Sequence, residues 1–458
     1  MDKFFRLKEN NTNVRTEIIA GLTTFIAMAY ILIVNPLTLT AGGATGMDFN
    51  AVFVATALGA GLVTIMMGLF VNYPIALAPG MGLNAYFAAV VMSSGGAITW
   101  QIALASVFIS GIIFFILTIT KVRQMLLDAV PDSLRAAITV GIGLFITIIG
   151  FKTSGLLTGF YIGQEGVKPF TEMTASDWLL QLGNFVEHKA ILLTIIGLLI
   201  TSILMVMRVQ AAILIGIIIT TLIGIPMGVT NLGSLQNAQW IPNFSSVAIG
   251  QLDFAGALNA GLLTIVFTFT FVELFDTFGT LTGTAAKAGL LDKPDAKQKI
   301  GRAMLVDAGG VSLGAMLGTS TITAFVESAA GVGQGGRTGL TSVTTGILFI
   351  LALFLAPLAL IVPVAATAPA LIVVGVLMMG AVRGVEWDDM VYAIPSFFTI
   401  VFMPLTNSIA NGISFGIVFY VVLASANNLV GGKNKIHWLM WVLAVLIIAR
   451  FLFIDINA

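Results

Sequence analysis

Residues 49–120 read FNAVFVATALGAGLVTIMMGLFVNYPIALAPGMGLNAYFAAVVMSSGGAITWQIALASVFISGIIFFILTIT, 72 consecutive positions without Asp, Glu, Lys, Arg or His. A helix needs about 20 apolar residues to cross the hydrocarbon of a bilayer, so at least three spans fit in this stretch alone. Further charge-free runs occupy 18–47, 209–252, 338–382 and 390–432. Of all 458 residues, 58% are hydrophobic and 9% charged, and mean hydropathy is +1.04. A soluble domain carries about 25% charged residues. The chain therefore crosses the bilayer many times, and about thirteen to fifteen apolar segments can be drawn.

Charge settles what such a chain is not. Net charge is zero and the pI is near 6.7, so nothing points to nucleic acid. Cysteine is absent and the two histidines, His188 and His437, stand near segment ends, which leaves no expected metal site or metal catalysis. The N-terminus, MDKFFRLKENNTNVRTE, has no cleavable-signal pattern, so the first apolar run reads as a retained span. Lys3, Arg6, Lys8 and Arg15 precede that span, and Lys121, Arg123 and Arg135 mark the next basic loop. Both are expected on the cytoplasmic side, with four spans between them. The loop at 153–188 is acid-rich, and 229–256 lacks Lys and Arg, as external segments do. Lys287, Lys293, Lys297, Lys299 and Arg302 then place the following loop inside.

A weak repeat gives this topology a consequence. AGLTTFIAMAYILIVNPLTL from Ala20 aligns without a gap on AGLLTIVFTFTFVELFDTFG from Ala260. The charge rule sends the first outward and the second inward, which is the inverted-repeat plan of secondary transporters. The expected division is a cytoplasmic N-terminus at 1–16, a first repeat at 17–229, an extracellular connection at 230–257 and a second repeat at 258–458. Such carriers bind substrate at the midplane, where helices are broken. NYPIALAPGMGLNAYF, 72–87, and GTSTITAFVESAAGVGQGG, 318–336, each read as a short extended piece followed by a half-helix. The start of a half-helix presents free N–H groups and the positive end of its dipole. Asn35 and Pro36 predict a kink in the first segment, and FMPLTNSIANGISFG, 402–416, a broken helix near the end of the second half. The runs at 390–432 and 437–454 can be drawn as two or three spans.

FTFTFVELFDTFGTLTG, 267–283, carries Glu273 and Asp276 without a neighbouring base. Acids inside a membrane segment are costly and mark functional positions, and a three-residue spacing puts both on roughly one helical face.

Four stretches together are similar to one family. RTEIIAGLTTFIAMAYILIVNP (15–36), APGMGLNAYF (78–87), FVELFDTFGTLTG (271–283) and TSTITAFVESAAGVGQGGRTGL (319–340) closely resemble the AzgA-like hypoxanthine/guanine/adenine permeases. These belong to the wider nucleobase superfamily of uracil, xanthine and ascorbate carriers, and the similarity runs through essentially the whole chain. The resemblance implies an all-α membrane protein of 14 segments in two inverted sevens, with a core domain that moves against a gate domain. It implies a strand and a half-helix in the third and tenth segments, and proton-coupled purine uptake. Glu273 and Glu327 then look like substrate ligands. Asp276 is similar to a residue needed for function, Asn84 matches the polar position of the third-segment half-helix, and Asp307 in AMLVDAGG resembles a supporting acid of the ninth segment. Thr277 stands where uracil-type carriers often have His or Asp. A homodimer through gate helices is also implied.

A purine is planar, neutral and edged with N–H donors and N or O acceptors. Carboxylates at Glu273 and Glu327 suit its N–H edge, while backbone amides near Gly80, Met81, Ser328 and Ala329 suit its acceptors. Phe325, just before Glu327, is a candidate to stack on the ring, although an aromatic in a membrane span more often serves packing. Glu273, Asp276, Asp307 and Glu327 also supply acids that can take up and release the coupled ion, expected to be a proton rather than Na⁺. The division of these roles, the preferred purine and the choice of H⁺ over Na⁺ stay open from the sequence alone. A hydrolase would need a Ser with a His or Lys at depth, a channel would favour a filter, and paired acids would repel an anion. A uracil- or xanthine-type symporter of the same fold is the alternative. No cofactor or enzymatic activity is expected, and the place is the cell membrane with the N-terminus cytoplasmic.

Overall fold

The structure is a computed structural model describing residues 2–120, 129–160, 179–184, 188–209, 211–235, 240, 248–258, 262–287, 296–406 and 408–453. Lys121 and Arg123, most of the acid-rich loop, part of the 230–257 connection, and Lys293 lie outside the described residues.

The first half opens with α1 (Val14–Met28) and α2 (Ile31–Thr40), which together form one segment, and continues with α3 (Phe49–Met66). Strand β1 (Leu77–Pro79) leads into half-helix α4 (Met81–Ser93), followed by α5 (Trp100–Ile119), α6 (Asp132–Thr153), α7 (Lys189–Val206) and α8 (Ala212–Met227). The second half repeats the order: α9 (Leu262–Lys287), α10 (Ala296–Leu317), β2 (Ile322–Ala324) with half-helix α11 (Ser328–Gly333), α12 (Gly339–Leu351), α13 (Val364–Met378), α14 (Met390–Leu405) and α15 (Ile409–Leu429). A last apolar helix, α16 (Trp438–Phe453), follows, so the C-terminal runs hold three helices. Among the described residues, nine helices are long and apolar enough to cross a membrane.

Polar side chains at segment starts cap the free amides that a helix end leaves. Asn13 accepts from Thr16 N–H at 3.0 Å and Asp48 from Ala51 N–H at 2.8 Å. The first segment is interrupted at Ala29–Tyr30, not at Asn35–Pro36, and Pro36 lies inside α2. A proline ring clashes with the carbonyl four residues back, at Leu32, and the interruption falls just before that turn. The 402–416 stretch is likewise a turn between α14 and α15, with Ser408 capping α15 through Asn411 N–H at 3.3 Å.

Helices approach backbone to backbone at small residues, as membrane packing favours. In the core, α3 crosses α12, where a Cβ added to Gly61 would stand 2.9 Å from Gly346 O. Their counterparts under the inverted repeat, α5 and α10, meet with Gly111 against Ser312. In the gate, α6 packs on α13, and a Cβ on Gly143 would stand 2.9 Å from Gly375 O. Core (α1–α5, α9–α12) and gate (α6–α8, α13–α15) are thus separately welded, with a seam between them.

Candidate functional site

Both broken segments owe their break to pairing with each other. Leu77, Ala78 and Pro79 of β1 face Ala324, Thr323 and Ile322 of β2 in antiparallel register. The ladder extends through Gly80 N–H to Thr321 O and Phe325 N–H to Ala76 O, both at 3.0 Å. A two-stranded ribbon has two outer edges, which the membrane interior cannot leave unsatisfied. The Thr64 hydroxyl of α3 closes the β1 edge, accepting from Leu77 N–H and donating to Leu77 O, both at 2.9 Å. On the β2 edge, Asp307 Oδ1 of α10 accepts from Ala324 N–H at 2.9 Å.

The chain leaves β1 through Gly80 into α4 without a side-chain cap, so the first amides of α4 lack an intrahelical acceptor. Residues Gly80–Leu83 line a cavity of about 570 Å³. Opposite them stand Thr323–Glu327, with Tyr30 from the first segment and Val272 from α9. The gate closes it with Ile142 and Ile146 of α6 and Val374, Leu377 and Met378 of α13. Contact across the seam is tight: a Cβ on Gly82 would stand 2.7 Å from Ile142 Cγ2. At one end the lining reaches Thr139, Thr280 and Ala381, which in sequence lie within about two turns of Arg135, Lys287 and Arg383 at the basic ends of their segments. At the opposite end of the seam a second cavity of about 280 Å³ is lined by Val34, Thr38, Ala85, Ile149, Lys152 and Leu371 among others. One helical turn separates Ile146 from Ile149, and Leu371 from Val374, so a single apolar layer divides the two spaces.

Two groups of acids result. Glu327, half-buried on the cavity wall, accepts a hydrogen bond from Tyr30 Oη at 2.8 Å on Oε1. Glu273 and Asp307 are fully buried behind β2. Thr277 Oγ1 joins them, lying 3.2 Å from Glu273 Oε1, 2.7 Å from Asp307 Oδ2 and 3.0 Å from Thr323 Oγ1. Thr323 Oγ1 also donates to Asp307 Oδ1 at 3.2 Å. The acids therefore form one buried network and one cavity-facing group, linked through the Thr323 strand.

Of the residues singled out in the sequence, Gly80, Met81, Phe325 and Glu327 line the cavity. Glu273 and Asp307 stand one layer behind it. Asn84 is fully buried one turn into α4, outside the lining. Ser328 Oγ is occupied by Ala76, whose N–H it accepts at 3.0 Å, and neither it nor Ala329 is in the lining. Asp276 lies on α9, but its side chain is outside the described residues. Tyr30 and Thr64 were not singled out; Thr277 was noted only for standing one turn after Glu273, where uracil-type carriers often have His or Asp, and its bridge to Thr323 was not foreseen.

A family model described as Permease family, of xanthine/uracil type, matches residues 15–415. The chain belongs to this permease family. Its relatives include the adenine permease AdeP of Escherichia coli (strain K12), 41% identical over 99% of this permease and 96% of that one. The guanine/hypoxanthine permease PbuG of Bacillus subtilis (strain 168) is 42% identical over 99% of this chain and 100% of its own. Among solved structures, the transmembrane domain of the cyanobacterial bicarbonate transporter BicA superposes with a TM-score of 0.58 at 14% identity, covering 88% of this permease and 97% of that chain. Murine Slc26a9 gives a TM-score of 0.61 at 12% identity, over 90% and 68%. These two share the inverted-repeat transporter fold with the permease.

Proposed function

We propose that this permease takes up purine nucleobases, hypoxanthine, guanine or adenine, by alternating access coupled to proton entry across the cell membrane. One observation carries the reading: Glu327, held by Tyr30, shares with the open amides of Met81–Leu83 a cavity between core and gate. A carboxylate for ring N–H groups and amides for ring acceptors is the donor and acceptor set a purine edge needs. The cavity volume lies within the range of small-molecule sites, about 300–1,000 Å³. The names of the relatives, adenine permease and guanine/hypoxanthine permease, support the same class.

Alternating access follows from the seam. The larger cavity opens toward the basic, cytoplasmic side and the apolar layer closes the other, which is an inward-open arrangement on the orientation assigned by charge. Proton coupling draws support from hydrogen counting. Four O···O contacts among Glu273, Thr277, Thr323 and Asp307 draw on two hydroxyl hydrogens. A proton resident on one of the carboxyls would supply a third hydrogen to these four contacts. Asp276 is assigned to the same coupling set, with the repeats at 17–229 and 258–458. A homodimer through gate helices belongs to this proposal and is checked by the mass of the detergent-solubilised protein.

Uptake of labelled hypoxanthine in cells lacking their own purine carriers provides the test. Saturable accumulation that adenine or guanine competes away, and that a protonophore abolishes, is the expected result. Passive equilibration unaffected by competing purines would refute it.

A further inference from the structure

Around the turn from β1 into α4, several polar atoms that do not line the substrate cavity have no partner among the described residues. They are Asn35 Oδ1, both side-chain polar atoms of Asn84, Ser320 Oγ and Thr321 Oγ1. All four residues are 0% exposed. They are also neighbours. Asn35 Nδ2 donates to Thr319 Oγ1 at 2.9 Å, which fixes Asn35 beside the 319–321 run. Thr321 Oγ1 lies 3.7 Å from where a Cβ on Gly80 would stand. Asn84 follows one turn later, its N–H on Gly80 O at 2.9 Å.

Buried polar atoms are almost always paired, with protein or with ordered water. The chemistry of this group selects between a cation and water. A cation site takes oxygen acceptors, and carboxylates above all, whereas this group has no carboxylate and includes the Asn84 amide as a donor. Water satisfies donors and acceptors alike.

We propose that Asn35, Asn84, Ser320 and Thr321 enclose ordered water, and that this water joins the buried acid network to the outer cavity. At one end, Thr321 and Thr323 are two apart on an extended strand and share a face. Both approach the Gly80 position, and Thr323 bonds Asp307. At the other end, Val34 and Thr38 flank Asn35, Ala85 follows Asn84, and all three line the outer cavity. The route gives protons from the outer side access to Asp307 and Glu273 by way of Thr323, at the back wall of the substrate cavity. This transport role rests on the proton-coupled reading; the water site itself does not.

Thr321→Val separates the outcomes. In a wet site the variant loses a water partner: Tm falls, gradient-driven purine accumulation drops about fivefold, and purine exchange at equal pH on both sides stays unchanged. In a dry site the same change removes an unsatisfied hydroxyl, so Tm rises while accumulation holds, and the proposal is overturned. Equal losses of exchange and accumulation overturn the route. Ser320→Ala serves if Thr321→Val does not reach the membrane. A high-resolution map of the unmodified protein decides the water directly: density within hydrogen-bond distance of Asn35 Oδ1 and Thr321 Oγ1 supports it, and an empty site refutes it. Wild-type accumulation insensitive to a protonophore would sink the coupling reading alone, leaving the map and Tm results to judge the water.

Discussion

The two broken segments are built alike and charged differently. Each contributes three residues to one ribbon, each continues as a half-helix, and each has its outer strand edge closed by a side chain from the segment before it. In the first half that side chain is Thr64, a neutral hydroxyl. In the second half it is Asp307, joined to Glu273 and followed by Glu327. The half-helices differ too. α4 runs 13 residues, whereas α11 runs only 6 and ends near Gly335, whose φ of +99° excludes most side chains. Arg337 Nη1 there donates to Val332 O and Gly336 O at 2.7 Å, and Glu17 accepts from Arg337, Thr338 and Thr341. Backbone hydrogen bonding demands symmetry, because either strand alone would be unsatisfied in lipid. Chemistry demands none, so acids gather in one half while the other supplies amides and neutral support.

That division can be broken experimentally. Glu327→Gln removes a charged acceptor from the cavity wall and is expected to weaken purine affinity by roughly 10- to 100-fold; unchanged affinity in a binding assay on membranes removes Glu327 from the site. Asp307→Asn keeps an acceptor for Ala324 N–H, so the protein should fold with near-normal Tm yet lose accumulation against a gradient about tenfold or more. A collapse of Tm instead would make Asp307 a scaffold residue like Thr64. Tyr30→Phe leaves Glu327 in place without its hydroxyl donor, and an affinity loss of about tenfold is expected, with turnover at saturating purine little changed. The smallest effect on transport belongs to Thr64→Val. It should cost about 2 kcal/mol of stability by orphaning the Leu77 backbone groups, seen as a lower Tm, while purine affinity stays within about twofold. Should Thr64→Val abolish binding, the first half is more than support.

Much of this architecture was legible because charge is rare in the chain. Glu273, Asp307 and Glu327 stand out against apolar surroundings, and the inverted halves follow from the basic loops. Pro79, Gly80 and the β-branched run before Glu327 announce the breaks. What they pair with was not legible, since a ladder between distant strands leaves no local periodicity. The hydroxyl residues were hidden for another reason. Thr and Ser are common in membrane helices and usually bond back to their own helix, as Thr38 does to Val34 O and Thr118 to Phe114 O. Nothing in the sequence marks Thr277 or Thr64 as bridging instead. Pro36 misled by nearly two turns, since the break stands at Ala29–Tyr30, six to seven residues before it.

The ribbon also has a history during synthesis. Ala76 and Ser328, bonded to each other beside it, are 252 residues apart, and translation at about 5–20 residues per second needs roughly ten to fifty seconds to cover that distance. Throughout that time the first strand is in or near the bilayer with its ladder partner not yet made. Insertion of this permease therefore includes a waiting period in which the nascent first half depends on Thr64, neighbouring helices or the insertion machinery to shelter the open strand. Substitutions that leave the finished carrier intact can still lower its yield by exposing that strand while it waits.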